Sequence, residues 1–164
     1  MRILGIDPGS RATGYGVVES DGRHSRALAS GCIRTLAGDF PRRLGEIFTA
    51  LGEVVDRYQP DQAAVEQVFV AANADSALKL GQARGAAVTA MVVAGLPVYE
   101  YSPRAVKQAL VGTGGADKAQ VQHMVRLLLG LQGRSLGLDE SDALAVALCH
   151  AHTAATRRRL EGAR

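Results

Sequence analysis

The chain has 164 residues, the size of one domain and too few for two enzyme domains of ordinary size. Apolar residues make up 47% and charged residues 21%, a globular balance with enough apolar material for one sizeable core, and no apolar run approaches the roughly 20 residues that span a bilayer. Nineteen Lys and Arg against sixteen Asp and Glu leave +3, which excludes an acidic, solvating chain and points only weakly to a polyanionic partner.

In chain order, residues 2–7 (RILGID) read as a short buried strand that ends at Asp7 and the turn Pro8-Gly9-Ser10. Residues 14–19 form a second strand followed by the hairpin signal Asp21-Gly22, and 26–35 a third, less regular one. The period then changes: Leu44, Ile47, Phe48, Leu51, Val54, Val55 and Tyr58 repeat at helical spacing, and Pro60-Asp61 stop that helix. QAAVEQVFV from Gln62 is a fourth strand, 73–94 a second long helix, and 97–101 (PVYEY) a fifth strand. Gly81 and Gly85, with Ala74 and Ala77, would let another backbone approach the second helix. Ser102-Pro103 opens a helix as N-cap and first residue. GTGGAD at 112–117 is a linker, and Asp117 with Gln120 resembles a capping box for the next helix. A last helix starts near Asp139 and runs through Arg157-Arg158-Arg159.

This order predicts an α/β fold: a mixed five-stranded sheet of three antiparallel strands and then parallel additions, with right-handed crossovers and helices on both faces. It sets the first and fourth strands side by side at the centre. Residues 1–154 form one domain, and 155–164 are a basic C-terminal tail, open to disorder or to being the solvated end of the last helix.

Glu66 is the residue most in need of explanation. It stands in an apolar strand, where a lone carboxylate is costly unless paired or bound to metal. Asp7 ends ILGI in the same way. If the first and fourth strands are parallel neighbours, both acids meet at their C-terminal ends, where open α/β sheets place ligands. Asp139 and Asp142 are three apart and share one side of the last helix. Leu144, Ala147, Leu148 and Ala151 lie almost opposite Asp142 and should pack on the body of the protein or on a neighbouring helix. The acidic side, continued by Val146 and Cys149, should meet something else, and the sheet ends are the economical choice. Each acid also has a plain alternative: Asp7 as the start of a turn, Asp139 as a helix cap, Glu66 as the partner of an Arg.

Four converging carboxylates repel one another without counter-charge. Two divalent ions would supply it, and hard oxygen ligands suit Mg²⁺ or Mn²⁺ rather than Zn²⁺. Such a pair is the arrangement used for in-line phosphoryl displacement. Gathering those acids into one site leaves the rest of the surface more basic, and sixteen of its nineteen cations are Arg, which suits nucleic acid.

IDPGSRATGYG at 6–16, EQVFVAANADSALKLGQARG at 66–85, VKQALVGTG at 106–114, KAQVQHMVR at 118–126 and DESDALAVALCHAH at 139–152 resemble the RuvC-type Holliday-junction resolvases, in the same order and over nearly the whole chain. The resemblance implies an RNase H-like fold. It also implies a homodimeric, metal-dependent endonuclease of homologous recombination and DNA repair. Such an enzyme nicks two strands of a four-way junction symmetrically, leaves 5′-phosphate and 3′-hydroxyl ends, and cooperates with the RuvA and RuvB branch-migration machinery. It assigns the catalytic, Mg²⁺-binding carboxylates to Asp7, Glu66, Asp139 and Asp142, the functional lysines to Lys107 and Lys118, and a base-contacting aromatic to Phe69. Read alone, the lysines are ordinary exposed helix residues and Phe69 could be core. The stretch 130–138 is weakly matched, and some relatives carry His at the position of Asp139, so the separate roles of the last two acids stay open.

Two rivals remain at this stage. A kinase or ATPase of the actin and sugar-kinase type also opens with strand, Asp and Gly-containing turn, but needs two such domains. A non-cleaving junction-binding module would have no use for four acids, which hinder DNA binding unless neutralised. Cys32 and Cys149 lack metal-ligand spacing, and the apolar run before Asp7 is too short for a signal peptide, so a reduced, cytoplasmic protein is expected with no membrane partner. His123, His150 and His152 have no ligand spacing to the acids and read as packing or helix-surface residues.

Overall fold

The computed structural model describes residues 1–35, 38–67 and 73–162. Its elements run β1 (Arg2–Asp7), β2 (Ala12–Ser20), β3 (Ser25–Arg34), α1 (Phe40–Tyr58), β4 (Gln62–Glu66), α2 (Ala74–Val93), β5 (Val98–Tyr101), α3 (Pro103–Val111), α4 (Lys118–Leu128) and α5 (Leu138–Glu161). The sheet order is β3-β2-β1-β4-β5. The β1–β2 and β2–β3 pairs are antiparallel, and β1–β4 and β4–β5 are parallel. This is the expected mixed sheet, with β1 and β4 adjacent near its centre.

Strand alternation divides the core in two. Leu4, Ile6, Ala63 and Val65 face α1 and α2, where Ile47, Leu51, Ala83, Ala87 and Met91 close over them. Ile3 and Ala64 face the other way and are covered by α5, with α3 and α4 packed outside it. Asp7 continues the Ile3 series and Glu66 the Ala64 series. Both acids therefore come out on the α5 side, one step past the registered pair Ile6–Val65.

The last helix corrects one expectation. From Ser141 to Ala151 every residue except Asp142 is buried, so α5 is covered all round, and Cys149, expected with the acids at the sheet ends, lies on the outer helix layer instead. Leu144 and Ala147 press on the sheet at Gly16 and Gly5, while the Cys149 thiol turns to the carbonyl of Ala105 in α3 at 3.8 Å. The basic residues from 155 to Glu161 are the final turns of α5, the solvated-helix-end alternative, and Arg159 reaches the carbonyl of Gly22 at 3.4 Å. Meanwhile, among the described residues, nothing lies within 4 Å of the space a Cβ would fill at Gly81 and Gly85 of α2, so none of that backbone uses the approach they allow.

His150 is a packing residue with a defined task. Its Nε2 lies 2.7 Å from Gln62 Oε1 and its Nδ1 2.7 Å from the Tyr101 hydroxyl, and its ring stacks against Tyr99. The Gln62 carbonyl oxygen only accepts, so Nε2 carries the proton and Nδ1 accepts from Tyr101. One neutral imidazole thus ties α5 to β4 and β5. Burial, then the charges of Arg157 and Arg158, hold this imidazole down to about 4 from an ordinary 6.5. A depressed His supports the fold fully above 6.5 and withdraws that support as pH falls toward 4, by about 3 kcal/mol. Urea unfolding of wild type and His150→Gln at pH 7 and pH 4.5 should show a smaller acid loss in the variant; equal losses would assign the titration elsewhere.

Candidate active site

The floor of the site is glycine. A Cβ at Gly5 would overlap the Ala143 carbonyl, and one at Gly14, opposite Asp7 in register, would overlap the Asp139 carbonyl. Only hydrogen at these positions lets α5 lie against the sheet closely enough to bring its first turns to the ends of β1 and β4. The beginning of α5 is then held by Glu140. This carboxylate accepts from the Gly137 amide at 3.1 Å, from Ser30 Oγ of β3 at 2.5 Å and from Arg134 at 3.1 Å. Gly137 at the N-cap has no side chain of its own, so Glu140 does the capping from inside the helix.

Two further helices supply cations. Ser102 caps α3 by accepting from the Ala105 amide at 3.2 Å, with Pro103 as the first helical residue and Lys107 one turn on. A reciprocal box caps α4: Asp117 accepts from the Gln120 amide at 2.8 Å, and Gln120 Oε1 from the Asp117 amide at 2.9 Å. That box fixes Lys118 as the first residue of α4, at the positive end of the helix dipole, where a cation is disfavoured. An ion pair with Asp142 Oδ2 at 3.1 Å offsets the cost. The Asp142 charge in turn raises the Lys118 ammonium above its ordinary value.

Glu66, Val106, Lys107, Lys118, Val121 and Asp142 line one cleft of about 290 Å³. Asp7 adjoins it. Burial first, then the charges of Glu66, Asp142 and Asp139, push Asp7 up to about 8, against the pull of Lys118. Glu66 is raised by burial and by Asp142, and is lowered by a hydrogen bond with Asp7 and by Lys118 and Lys107. The four acids therefore share one electrostatic neighbourhood. Asp139 stands at its rim, where the half-buried Cys32 thiol donates to Asp139 Oδ2 at 3.7 Å. Among the described residues no three His, Cys, Asp or Glu side chains are already closed into a metal-holding group. The donor set is nonetheless hard oxygen throughout, the kind that suits Mg²⁺ or Mn²⁺.

The structure thus gathers Asp7, Glu66, Asp139, Asp142, Lys107 and Lys118 around one sheet edge. Phe69 lies outside the described residues. What the sequence reading missed is the scaffold, namely Glu140, Ser30, Cys32 and the glycines under α5. Glu140 three residues after Gly137 was a readable capping signal, whereas Ser30, more than a hundred residues away, was not.

The sheet order and the acids on its central strands and closing helix define an α/β fold of the RNase H-like class. The family model described as crossover junction endodeoxyribonuclease RuvC matches residues 3–150. A crossover junction endodeoxyribonuclease RuvC of Vibrio vulnificus is 59% identical over 160 residues, covering 98% of this chain and 92% of that protein. The Thermus thermophilus RuvC structure in complex with Holliday junction substrate superposes with a TM-score of 0.90 at 40% identity, covering 96% of each chain. The yeast mitochondrial Holliday junction resolvase Ydc2, at 14% identity over 97% of this chain and 82% of that one, shares the fold with a TM-score of 0.69. The chain belongs to the RuvC family.

Replacing Glu140 by Ala removes the acceptor for three donors and should cost about 1–3 kcal/mol of unfolding free energy. Glu140→Gln keeps the acceptor oxygen and should recover part of it. Denaturant midpoints of the two variants check this, and equal losses would count against the capping role.

Proposed function

We propose that the chain is a divalent-metal-dependent endodeoxyribonuclease that resolves four-way DNA junctions in recombination and repair. It works as a homodimer that nicks two strands symmetrically and leaves 5′-phosphate and 3′-hydroxyl ends. The observation that carries this reading is the shared cleft, in which acids from β4 and α5, with Asp7 of β1 beside them, meet lysines from α3 and α4. One sheet edge thus holds both a cation-binding acid set and cations of its own for a phosphate.

Asp7, Glu66, Asp139 and Asp142 would hold two Mg²⁺ ions per subunit, with Mn²⁺ able to replace them. Those ions, when bound, activate water and stabilise the leaving oxygen of an in-line displacement. The protein's own part is charge and position. Asp142 holds Lys118 at the cleft through their 3.1 Å ion pair, and from there the Lys118 ammonium would face the charge developing on a scissile phosphate. Lys107 approaches the same cleft from α3. The β4 backbone keeps Glu66 from swinging away, because the Gln67 amide, one residue on, bonds to the Tyr101 carbonyl at 2.8 Å. Phe69, three residues past Glu66, is assigned to stacking on an unpaired base near the crossover. Most of the affinity comes from Arg and Lys on phosphates and is therefore salt-dependent and read from shape. Two-fold symmetry pairs the cuts. RuvA and RuvB as partners, and a cytoplasmic setting, belong to the same reading. No helix among the described residues is long and apolar enough to cross a membrane.

Purified protein with a labelled synthetic four-way junction and Mg²⁺ should give paired symmetric nicks. Glu66→Gln should lower cleavage by about 100-fold or more, the scale of losing one transition-state contact, while still binding the junction. An intact junction with wild-type protein would overturn the assignment.

Lys118→Ala should separate chemistry from binding. The single-turnover rate should fall by more than the junction affinity, since the lysine faces charge that grows during the reaction. Equal losses in both would reduce Lys118 to a phosphate anchor.

A further inference from the structure

A second polar hollow opens at the same sheet edge but on the opposite face. It has a volume of about 370 Å³, and Ser10, Arg11, Arg43, Asp75, Ser76 and Lys79 are among its lining residues. Arg11 belongs to the turn that follows Asp7, and the Thr35 amide and hydroxyl pin its carbonyl at 3.3 Å. Arg43 comes from the first turns of α1, while Asp75, Ser76 and Lys79 lie at the start of α2. The topology explains the gathering. Strands β1, β3 and β4 run in the same direction, so the loop after β1 and the helices that follow β3 and β4 all begin at one edge. That edge also carries Asp7 and Glu66.

Three cations meet one acid here, and that acid is already taken: Asp75 Oδ2 is bridged by Lys79 at 2.7 Å. The Arg43 Nε is buried and has no hydrogen-bond partner among the described residues. A buried guanidinium N–H left unpaired is costly, and protein interiors seldom tolerate it without a partner from solvent or ligand. The positive end of a 20-residue helix faces the same hollow, although its Ser76 amide is already held by Asn73 Oδ1 at 2.9 Å.

We propose that this hollow is a phosphodiester subsite, which grips the backbone of a DNA strand beside the phosphate being cut. The inference rests on the nuclease reading above and adds to it a residue set that the catalytic acids and lysines do not include. Arg43 offers a planar fork suited to a phosphate's paired oxygens, and Arg11 links the subsite to the catalytic strand through only three intervening residues. Contact with the backbone positions the strand without reading its bases. The subsite therefore sets register and affinity, while base preference arises elsewhere.

The test is junction binding by fluorescence anisotropy across a salt series, in Ca²⁺ to suppress turnover. Arg43→Gln and Arg11→Gln should each weaken binding by about tenfold and reduce the slope of log K against log salt by about 1. Arg43→Lys, which keeps charge but not the fork, should recover part of the loss. Circular dichroism checks folding, and the exposed Arg11 and Lys79 substitutions serve if Arg43→Gln unfolds. Arg26→Gln is the control, because Arg26 sits at the far edge of the sheet in a pair with Glu19. An equal loss there would make the effect one of net charge and overturn the subsite. So would unchanged affinity and slope in the Arg11 and Arg43 variants. Inorganic phosphate that stabilises wild type but not Arg43→Gln, with junction binding unaltered, would assign the hollow to a small free anion and overturn the DNA assignment. Wild-type cleavage with unaffected variant binding removes the subsite alone, whereas wild type that never cuts the junction removes the nuclease reading and the subsite with it.

Discussion

Everything at the functional edge depends on how closely α5 lies against the sheet. Gly5 and Gly14 leave room for the α5 backbone and Gly16 for the Leu144 side chain, where any Cβ would collide with them. At that separation the first turns of α5 reach the ends of β1 and β4. Like-charged groups then share one half-buried place, which burial and mutual repulsion make unfavourable for the ionised acids. The fold sustains this by surrounding the place with rigid supports, namely two apolar clusters, three capped helices and a neutral histidine that joins α5 to β4 and β5.

The supports are arranged so that no functional side chain depends on its own conformational preference. Glu140 bears the strain of starting α5, leaving Asp139 and Asp142 uncommitted to capping. Ser102 and the Asp117–Gln120 box do the same for the helices that bear Lys107 and Lys118. Lys118 stands at the end of its helix least favourable to a cation and is held there by Asp142. A residue kept where its own helix disfavours it is better explained by the chemistry of the cleft than by stability.

The same topology accounts for the two faces of the edge. Since β1, β3 and β4 point one way, the elements that follow them converge there. The acids emerge toward α5 and the arginines of the second hollow toward α1 and α2. A nucleic-acid strand crossing such an edge would meet carboxylates on one side and guanidinium groups on the other. The modest net charge of +3 hides this separation.

Much of the architecture was legible in the chain itself. Period-two and period-3.6 runs marked the strands and helices, turn and cap residues punctuated them, and connection rules set β1 beside β4 with Asp7 and Glu66 at their ends. Those signals are local, and local spacing determines them. What only the tertiary structure decided was the environment of α5. Its apolar stripe was legible, but a helix between a sheet and two others is covered all round, and nothing in its own period reports that Cys149 meets the outer layer rather than the sheet ends. Ser30 as a partner of Glu140, and the partners of Cys32 and His150, were hidden for the same reason. Each contact joins residues far apart in the chain, and a contact of that kind exists only once the layers have packed.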